Sequence, residues 1–278
     1  MPTPPTLPNG QPIKERINVY GLPNAGKTHQ YFTIAKWHQD LGSDARFYAI
    51  NTDASFEVVY SNTDFSNLTN ITWTDCVTFD DAFQAAKNYY GMLREQDWLC
   101  VDLQSHLWPL VQDEYARIRA KETGIDLDDL SELWITEGST KKYPIEGWDW
   151  QTPNARYRSL TNNYVLRGPG HRFIISHEDS ILTPSSNMQE DEIAKSNREL
   201  FKPIGVRPAG QKEDAGRWHT ILHLTEAGIK QQTVATARDK WGYRRWMGKE
   251  MQGGKLRKGE ELKDFFLDYL IGVAKWEM

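Results

Sequence analysis

The residues of this chain whose spacing best fits a chemical task are 21–28, which read Gly-Leu-Pro-Asn-Ala-Gly-Lys-Thr. Two glycines followed by a lysine and a hydroxyl residue at these spacings form the phosphate-binding P-loop. Because glycine tolerates unusual backbone angles, Gly21 and Gly26 are expected to turn successive N–H groups toward phosphate oxygens. Lys27 is predicted to reach the β- and γ-phosphates, and Thr28 to ligate Mg²⁺. The predicted nucleotide site, for ATP and Mg²⁺, is Gly21, Leu22, Pro23, Asn24, Ala25, Gly26, Lys27, Thr28 and His29.

A second candidate for phosphate chemistry is Asp102, which ends the apolar run Trp98–Asp102. An aspartate at the end of a strand that follows a P-loop is the Walker B arrangement, in which the carboxylate holds the Mg²⁺ shell through water beside Thr28. The alternative is an aspartate that caps the next turn. Leu103 follows Asp102, so a hydrolase would need its water-activating carboxylate from another strand.

The apolar patterns predict the elements that position these residues. The predicted strands cover residues 17–20, 45–51, 71–73, 98–102 and 173–176, and the predicted helices cover residues 28–37, 79–93, 107–121 and 154–166. Because strands that alternate with helices form mainly parallel sheets covered on both faces, we predict an α/β fold. A late β-hairpin is predicted at 219–224 and 233–237, and a C-terminal helix at 260–274.

Composition indicates a single large domain. The 278 residues are 39% hydrophobic and 26% charged, which suits one α/β domain at 15–278 after a flexible, proline-rich segment at 1–14. Irregular insertions are predicted at about 124–150 and 182–212. Two cysteines are too few for a disulfide framework, and no apolar run has the length of a membrane span. These features are typical of a cytoplasmic protein with no membrane partner (host cytoplasm, if the chain is viral).

The stretch after the second predicted strand carries a candidate base. Residues 51–53 read Asn-Thr-Asp, and together with the P-loop this resembles the RecA-like ATPases, most closely the compact ones of bacteriophages. In that family an Asp-Thr-Glu pattern places the catalytic carboxylate at this strand end. The resemblance implies a RecA-like P-loop NTPase fold, Mg²⁺-dependent ATP hydrolysis, and Asp53 as the base, with Glu57 in reserve. Aspartate is one methylene shorter than glutamate, and a turn-forming Asp53 is the alternative.

The resemblance covers roughly residues 17–240. Ser176-His177 is similar to the end of the family's strand after Walker B, which implies a γ-phosphate sensor at His177; a histidine bonded to a backbone carbonyl is the alternative. Residues 236–240 resemble a late strand whose basic residues reach a neighbouring subunit's nucleotide, which implies a homo-oligomer. The loops after the later strands face DNA in this family, which implies that role for 182–212. The implied catalytic set is Lys27, Asp53, Asp102, His177, Arg238 and Lys240.

Residues 230–258 are strongly basic within an acidic protein. They hold nine basic and two acidic side chains, a net of +7, whereas the whole chain has −5. Aromatic residues lie between the basic ones, and such residues stack on unpaired bases while Arg and Lys hold phosphates. This pattern predicts contact with single-stranded DNA through Arg244, Arg245, Trp241 and Trp246. The alternative is a solvated basic face with aromatics in the core.

Three functions fit these observations. The first is an ATP-hydrolysing, RecA-like protein that acts on DNA in recombination, annealing or replication. The second is a P-loop kinase for a nucleotide or another small molecule, in which Arg238 to Arg245 would form a basic lid. The third is a DNA-packaging motor ATPase, although the chain has no room for an appended nuclease domain of typical size. A GTPase is disfavoured because the chain has no Asn-Lys-x-Asp motif.

Overall fold

The computed structural model describes residues 2–4, 6, 10, 12–123, 150–181, 192–202, 204–211, 214, 217–226, 232–239, 254–255 and 276. This part of the chain is an α/β structure in which helices flank a mostly parallel central sheet. The predicted fold class is confirmed at this level.

The described ranges contain nine strands. They are β1 (Arg16–Gly21), β2 (Phe47–Asn51), β3 (Ile71–Asp75), β4 (Trp98–Asp102), β5 (His171–Ser180), β6 (Val206–Pro208), β7 (Thr220–Glu226), β8 (Gln232–Asp239) and β9 (Gly254–Lys255). The order is β3-β2-β4-β5-β1-β7-β8-β9, with β6 paired to β5. The strands from β3 to β7 in this order run parallel, whereas β8 and β9 are antiparallel additions. The carboxyl ends of β1, β2, β4 and β5 therefore meet at one edge, where α/β sheets bind ligands.

Helices cover both faces of the sheet. They are α1 (Lys27–Asp40), α2 (Ser55–Tyr60), α3 (Phe79–Met92), α4 (Gln104–Thr123), α5 (Gln151–Ser159), which continues as a π-helical turn (Leu160–Val165), and α6 (Glu192–Phe201). α1 and α2 pack on one face, and α3, α4 and α5 on the other. Thr78 starts α3 with a capping box: its hydroxyl accepts from Asp81 N at 3.1 Å, and its own N–H donates to Asp81 Oδ2 at 2.9 Å. None of the helices in the described ranges is both long and apolar enough to cross a membrane.

Several boundaries differ from the sequence prediction. The predicted late hairpin is confirmed as β7 and β8, and it extends the sheet because β7 pairs with β1. The prediction that 182–212 is irregular was wrong for α6 and β6: α6 buries only Phe201, and β6 is three residues long. α2 was missed because it is six residues long and Phe56 is the one residue it buries. The predicted C-terminal helix and most of the 124–150 insertion lie outside the described residues.

An aromatic cluster lies at the amino-terminal edge of the sheet, opposite the ligand-binding edge. The Trp276 ring lies 4.9 Å from that of His171 and 5.9 Å from that of His38, measured between centroids. Both histidines are almost fully buried. Burial lowers the pKa of His38 to about 4 and that of His171 well below its usual value, because a charged imidazole loses its hydration there. Both rings are therefore neutral in the folded protein at neutral pH.

Candidate functional site

The P-loop residues connect the end of β1 to the start of α1. Gly26 has φ 81°, and Asn24 has φ 63°, so the chain turns through two left-handed residues before the helix begins. Ala25 N donates to Leu22 O at 3.3 Å within this turn. Gly26 immediately precedes α1 and has no side chain to cap it, and the first N–H groups of an α-helix have no acceptor within the helix. Such groups are the usual site for anions at a helix N-terminus.

Gly21 is required for a reason that the sequence did not reveal. It does not have the positive φ that Gly26 has. A Cβ at this position would lie 2.1 Å from the backbone oxygen of Leu224 in β7. The predicted conformational role of Gly21 is therefore wrong, and the residue is a glycine because a neighbouring strand passes too close for any side chain.

Lys27 lies folded against the loop that precedes it. Its side chain is 5% exposed, and Nζ donates to Gly21 O at 3.0 Å and to Leu22 O at 2.6 Å. Burial lowers the pKa of Lys27, and the nearby carboxylates of Asp102, Asp53 and Glu178 oppose that shift. The ammonium is thus held in place by two carbonyl oxygens, and the neighbouring carboxylates favour its charged form.

The residues that flank Lys27 in the loop differ in exposure. Leu22, Pro23 and Asn24 are exposed, whereas Ala25 is buried. His29 is exposed as well, and its ring packs edge-on against Phe65 with centroids 4.9 Å apart. The predicted nucleotide-binding residues therefore lie together at the carboxyl edge of the sheet, some exposed and others, such as Ala25 and Lys27, buried.

Thr28 and Asp102 are joined directly. Thr28 Oγ1 donates to Asp102 Oδ2 at 2.6 Å, and Ser55 Oγ donates to the same carboxylate oxygen at 3.2 Å. The two hydroxyl oxygens lie 3.4 Å apart. The structure thus brings together the two residues predicted to hold Mg²⁺, and it adds the hydroxyl of Ser55, which the sequence analysis missed.

Asp102 is a buried carboxylate with one oxygen that accepts hydrogen bonds and one that does not. It is fully buried, and Oδ1 has no hydrogen-bond partner among the described residues. Burial and, secondly, the negative charge of Asp53 raise the pKa of Asp102 to about 7, against the opposing effects of Thr28, Lys27 and Ser55. A cation near this carboxylate would restore the charged form. No group of three His, Cys, Asp or Glu side chains within the described ranges is arranged to hold a metal ion.

Asp53 lies at the same edge but remains accessible. It is exposed, and Oδ1 accepts a hydrogen bond from Ser55 N at 3.0 Å. This is the turn-forming contact that the sequence analysis raised as the alternative for Asp53. It uses one carboxylate oxygen, and its effect on Lys27 and Asp102 indicates that the charge of Asp53 acts on the centre of the site. The reserve candidate Glu57 is exposed on α2.

His177 lies on β5 beside Gly21, the first residue of the P-loop. It pairs with Gly21 across β5 and β1, and its side chain alternates onto the face covered by α1. Burial, then the charges of Lys27 and His106, lower the pKa of His177. Its ring lies 5.6 Å from the His106 ring, and Nδ1 of His106 is 3.3 Å from Thr52 Oγ1. His106 therefore links the end of β5 to the turn that carries Asp53, and only the fold could reveal this role.

A buried chain of polar groups lies on the opposite face of the sheet. Asn18 Nδ2 donates to Ser176 Oγ at 3.2 Å and to Gln104 Oε1 at 3.5 Å. Gln104 Nε2 donates to the hydroxyl of Tyr157 at 3.2 Å, and that hydroxyl donates to Asp214 Oδ2 at 2.5 Å. The chain connects the middle of the sheet to α5. These side chains lie next to the candidate site, on the face of the sheet that α1 does not cover.

The basic residues predicted for DNA and for a neighbouring subunit are placed only in part. Arg238 lies on β8 opposite Ile221 of β7. Lys240, Trp241, Arg244, Arg245 and Trp246 lie outside the described residues. The predicted roles of these residues stay predictions.

Comparison with protein-family models finds no match to this chain, and neither does a search among curated proteins.

Proposed function

We propose that this protein is a Mg²⁺-dependent ATPase of the RecA-like class. The observation that carries the proposal is the 2.6 Å hydrogen bond between Thr28 Oγ1 and Asp102 Oδ2. A hydroxyl at the start of a P-loop helix and a carboxylate at a strand end are the pair that P-loop NTPases use beside Mg²⁺. The unpartnered oxygen of Asp102 fits that cation. When bound, Mg²⁺ neutralises charge on the β- and γ-phosphates.

The other residues take roles that follow from their positions. The N–H groups at the start of α1 and the ammonium of Lys27 bind the phosphates. The accessible carboxylate of Asp53 orients or deprotonates the attacking water. His177, on the strand β5 between β1 and β4, donates a hydrogen bond to the terminal phosphate. Arg238 and Lys240 are proposed to reach the nucleotide of a neighbouring subunit.

The proposed nucleic-acid partner is single-stranded DNA. This proposal rests on the basic composition of residues 230–258. The decisive measurement is phosphate release from Mg·ATP with and without single-stranded DNA, beside a search for a phosphorylated acceptor. Release that DNA stimulates supports the proposal. Transfer to a small-molecule acceptor without release would establish the kinase instead, and neither outcome with ATP bound would reject both.

DNA contact has its own test in salt. Each phosphate that is neutralised on a single strand contributes about −0.7 to the slope of log affinity against log salt. Replacing Arg244 and Arg245 by alanine is expected to reduce the slope by one to two such contributions, that is by about 0.7–1.4. The half-exposed Lys36 and the exposed Lys87, changed together to alanine, are the matched control. Equal slopes in both double variants would contradict a DNA contact at the basic segment.

A further inference from the structure

We infer that Ser55 is a second protein ligand of the cation, beside Thr28, and that it ties the cation to Asp53. This inference rests on the proposed function. Ser55 begins α2 and carries neither a charge nor a motif, so nothing in the sequence marks it.

The first argument is the direction of the hydroxyl protons. Thr28 and Ser55 both donate to Asp102 Oδ2, at 2.6 and 3.2 Å. A hydroxyl has one proton and two lone pairs, so both oxygens keep their lone pairs for another partner. A cation that binds those lone pairs leaves both hydrogen bonds to Asp102 in place. The carboxylate then orients the two hydroxyl ligands by accepting their hydrogen bonds.

The second argument is distance. Adjacent oxygen ligands of an octahedral Mg²⁺ lie roughly 2.9 Å apart, because each bond is about 2.0–2.1 Å long. The oxygens of Thr28 and Ser55 are 3.4 Å apart, so a closure of about half an ångström makes them neighbouring ligands. Two hydroxyls, phosphate oxygens and water form the all-oxygen shell that Mg²⁺ prefers.

The third argument is that Ser55 contacts both carboxylates of the site. Its backbone N–H donates to Asp53 Oδ1 at 3.0 Å, while its hydroxyl donates to Asp102. Ala54, directly before it, is held at φ 57°, and Phe56, directly after it, is fully buried. Ser55 is thus fixed on both sides, and a cation bound at its oxygen sets the position of Asp53.

The test measures cation binding without turnover. Mn²⁺ serves as the paramagnetic probe, and its affinity for the full chain in the presence of ADP is read by electron paramagnetic resonance. Ser55→Ala is expected to weaken Mn²⁺ binding about tenfold or more, the usual cost of disturbing a metal's surroundings, while ADP affinity without metal stays as in the parent. Ser55→Thr keeps the hydroxyl and is expected to restore Mn²⁺ binding. Ser61→Ala, at the other end of α2, is the matched control.

Ser55→Cys separates ligation from positioning. A thiolate favours a soft cation over Mn²⁺, so this variant is expected to bind Cd²⁺ with ADP more tightly than Ser55→Ala does, and Mn²⁺ no better. Parent-like Mn²⁺ affinity in Ser55→Ala, or no gain of Cd²⁺ affinity in Ser55→Cys, overturns the inference. Absence of any Mn²⁺-dependent ADP binding in the parent rejects the proposed function itself.

Discussion

Thr28 and Asp102 form a 2.6 Å hydrogen bond although 74 positions separate them in the chain. Thr28 follows β1 and Asp102 ends β4, and β5 lies between these two strands in the sheet. The first turn of α1 must therefore pass over the end of β5 to reach Asp102. His177 lies at that end of β5, in register with Gly21. This strand order thus places a hydroxyl, a carboxylate and an imidazole at the same edge of the sheet.

Loss of the Lys27 ammonium is expected to weaken Mg·ATP binding. A hydrogen bond to a charged group contributes about 1.5–3 kcal/mol, or roughly ten- to 150-fold in affinity. Titration calorimetry with Lys27→Ala measures this loss. Lys36→Ala is the control, since Lys36 lies on the same helix in an exposed ion pair with Asp40. A folded Lys27→Ala protein with parent affinity would refute the P-loop assignment.

The two carboxylates are expected to fail at different steps. Asp102→Asn removes the buried charge beside Thr28 and should impair both Mg²⁺-dependent binding and turnover. Asp53→Asn keeps an oxygen for Ser55 N, so ATP binding should persist while hydrolysis falls, because orienting water matters only after binding. Single-turnover hydrolysis and ATP titration separate the two. The exposed Asp64→Asn is the control, and parent-rate hydrolysis by Asp53→Asn would remove Asp53 as the base.

Gly21→Ala is expected to destabilise the fold rather than only the loop. The added Cβ would lie 2.1 Å from Leu224 O, and a backbone oxygen in a paired strand yields little, so we expect a loss of at least about 2 kcal/mol. Urea unfolding measures the change. Gly91→Ala is the opposite control: its Cβ meets nothing within 4 Å in α3, and alanine should add about 0.5–1 kcal/mol there. Equal stabilities would mean that β7 does not approach Gly21.

Acid is expected to destabilise the protein through His38. Its folded pKa of about 4 lies below the ordinary 6.5, so its contribution to stability is fully present above pH 6.5. The contribution is lost as the pH falls to about 4, because His38 binds a proton in the unfolded chain but not in the folded one over this range. A fall in pKa from 6.5 to about 4 corresponds to about 3 kcal/mol of stability.

Urea unfolding between pH 7.5 and 4.5 tests this expectation. His38→Gln is expected to show a shallower loss of stability than the parent over that range. His29→Gln, an exposed histidine on the same helix, should follow the parent curve. Parallel curves for the parent and His38→Gln would show that His38 does not contribute to the acid sensitivity.

The sequence could reveal those parts of the site whose chemistry is local. Gly26, Lys27 and Thr28 are adjacent in the chain, and Asp102 ends an apolar run, so strand, loop and helix were predictable together. The role of Ser55 was not predictable, because it depends on a hydrogen bond to Asp102, which lies 47 positions away. Glycine is required at position 21 because Leu224 lies so close, and the role of His106 depends on its contact with Thr52. Each of these three roles arises because two elements that are distant in the chain come together. The apolar periodicity of a sequence does not specify such contacts.

β5 has a consequence for how the two faces of the sheet communicate. Ser176 and His177 are neighbours in the chain, yet one joins the buried polar chain behind the sheet and the other faces α1. A single peptide unit therefore separates a residue of the buried hydrogen-bonded chain from a residue beside the P-loop. A rotation of that peptide would displace both side chains together. Tyr157 on α5 is thus connected to the candidate site through the hydrogen bonds that join Gln104, Asn18 and Ser176.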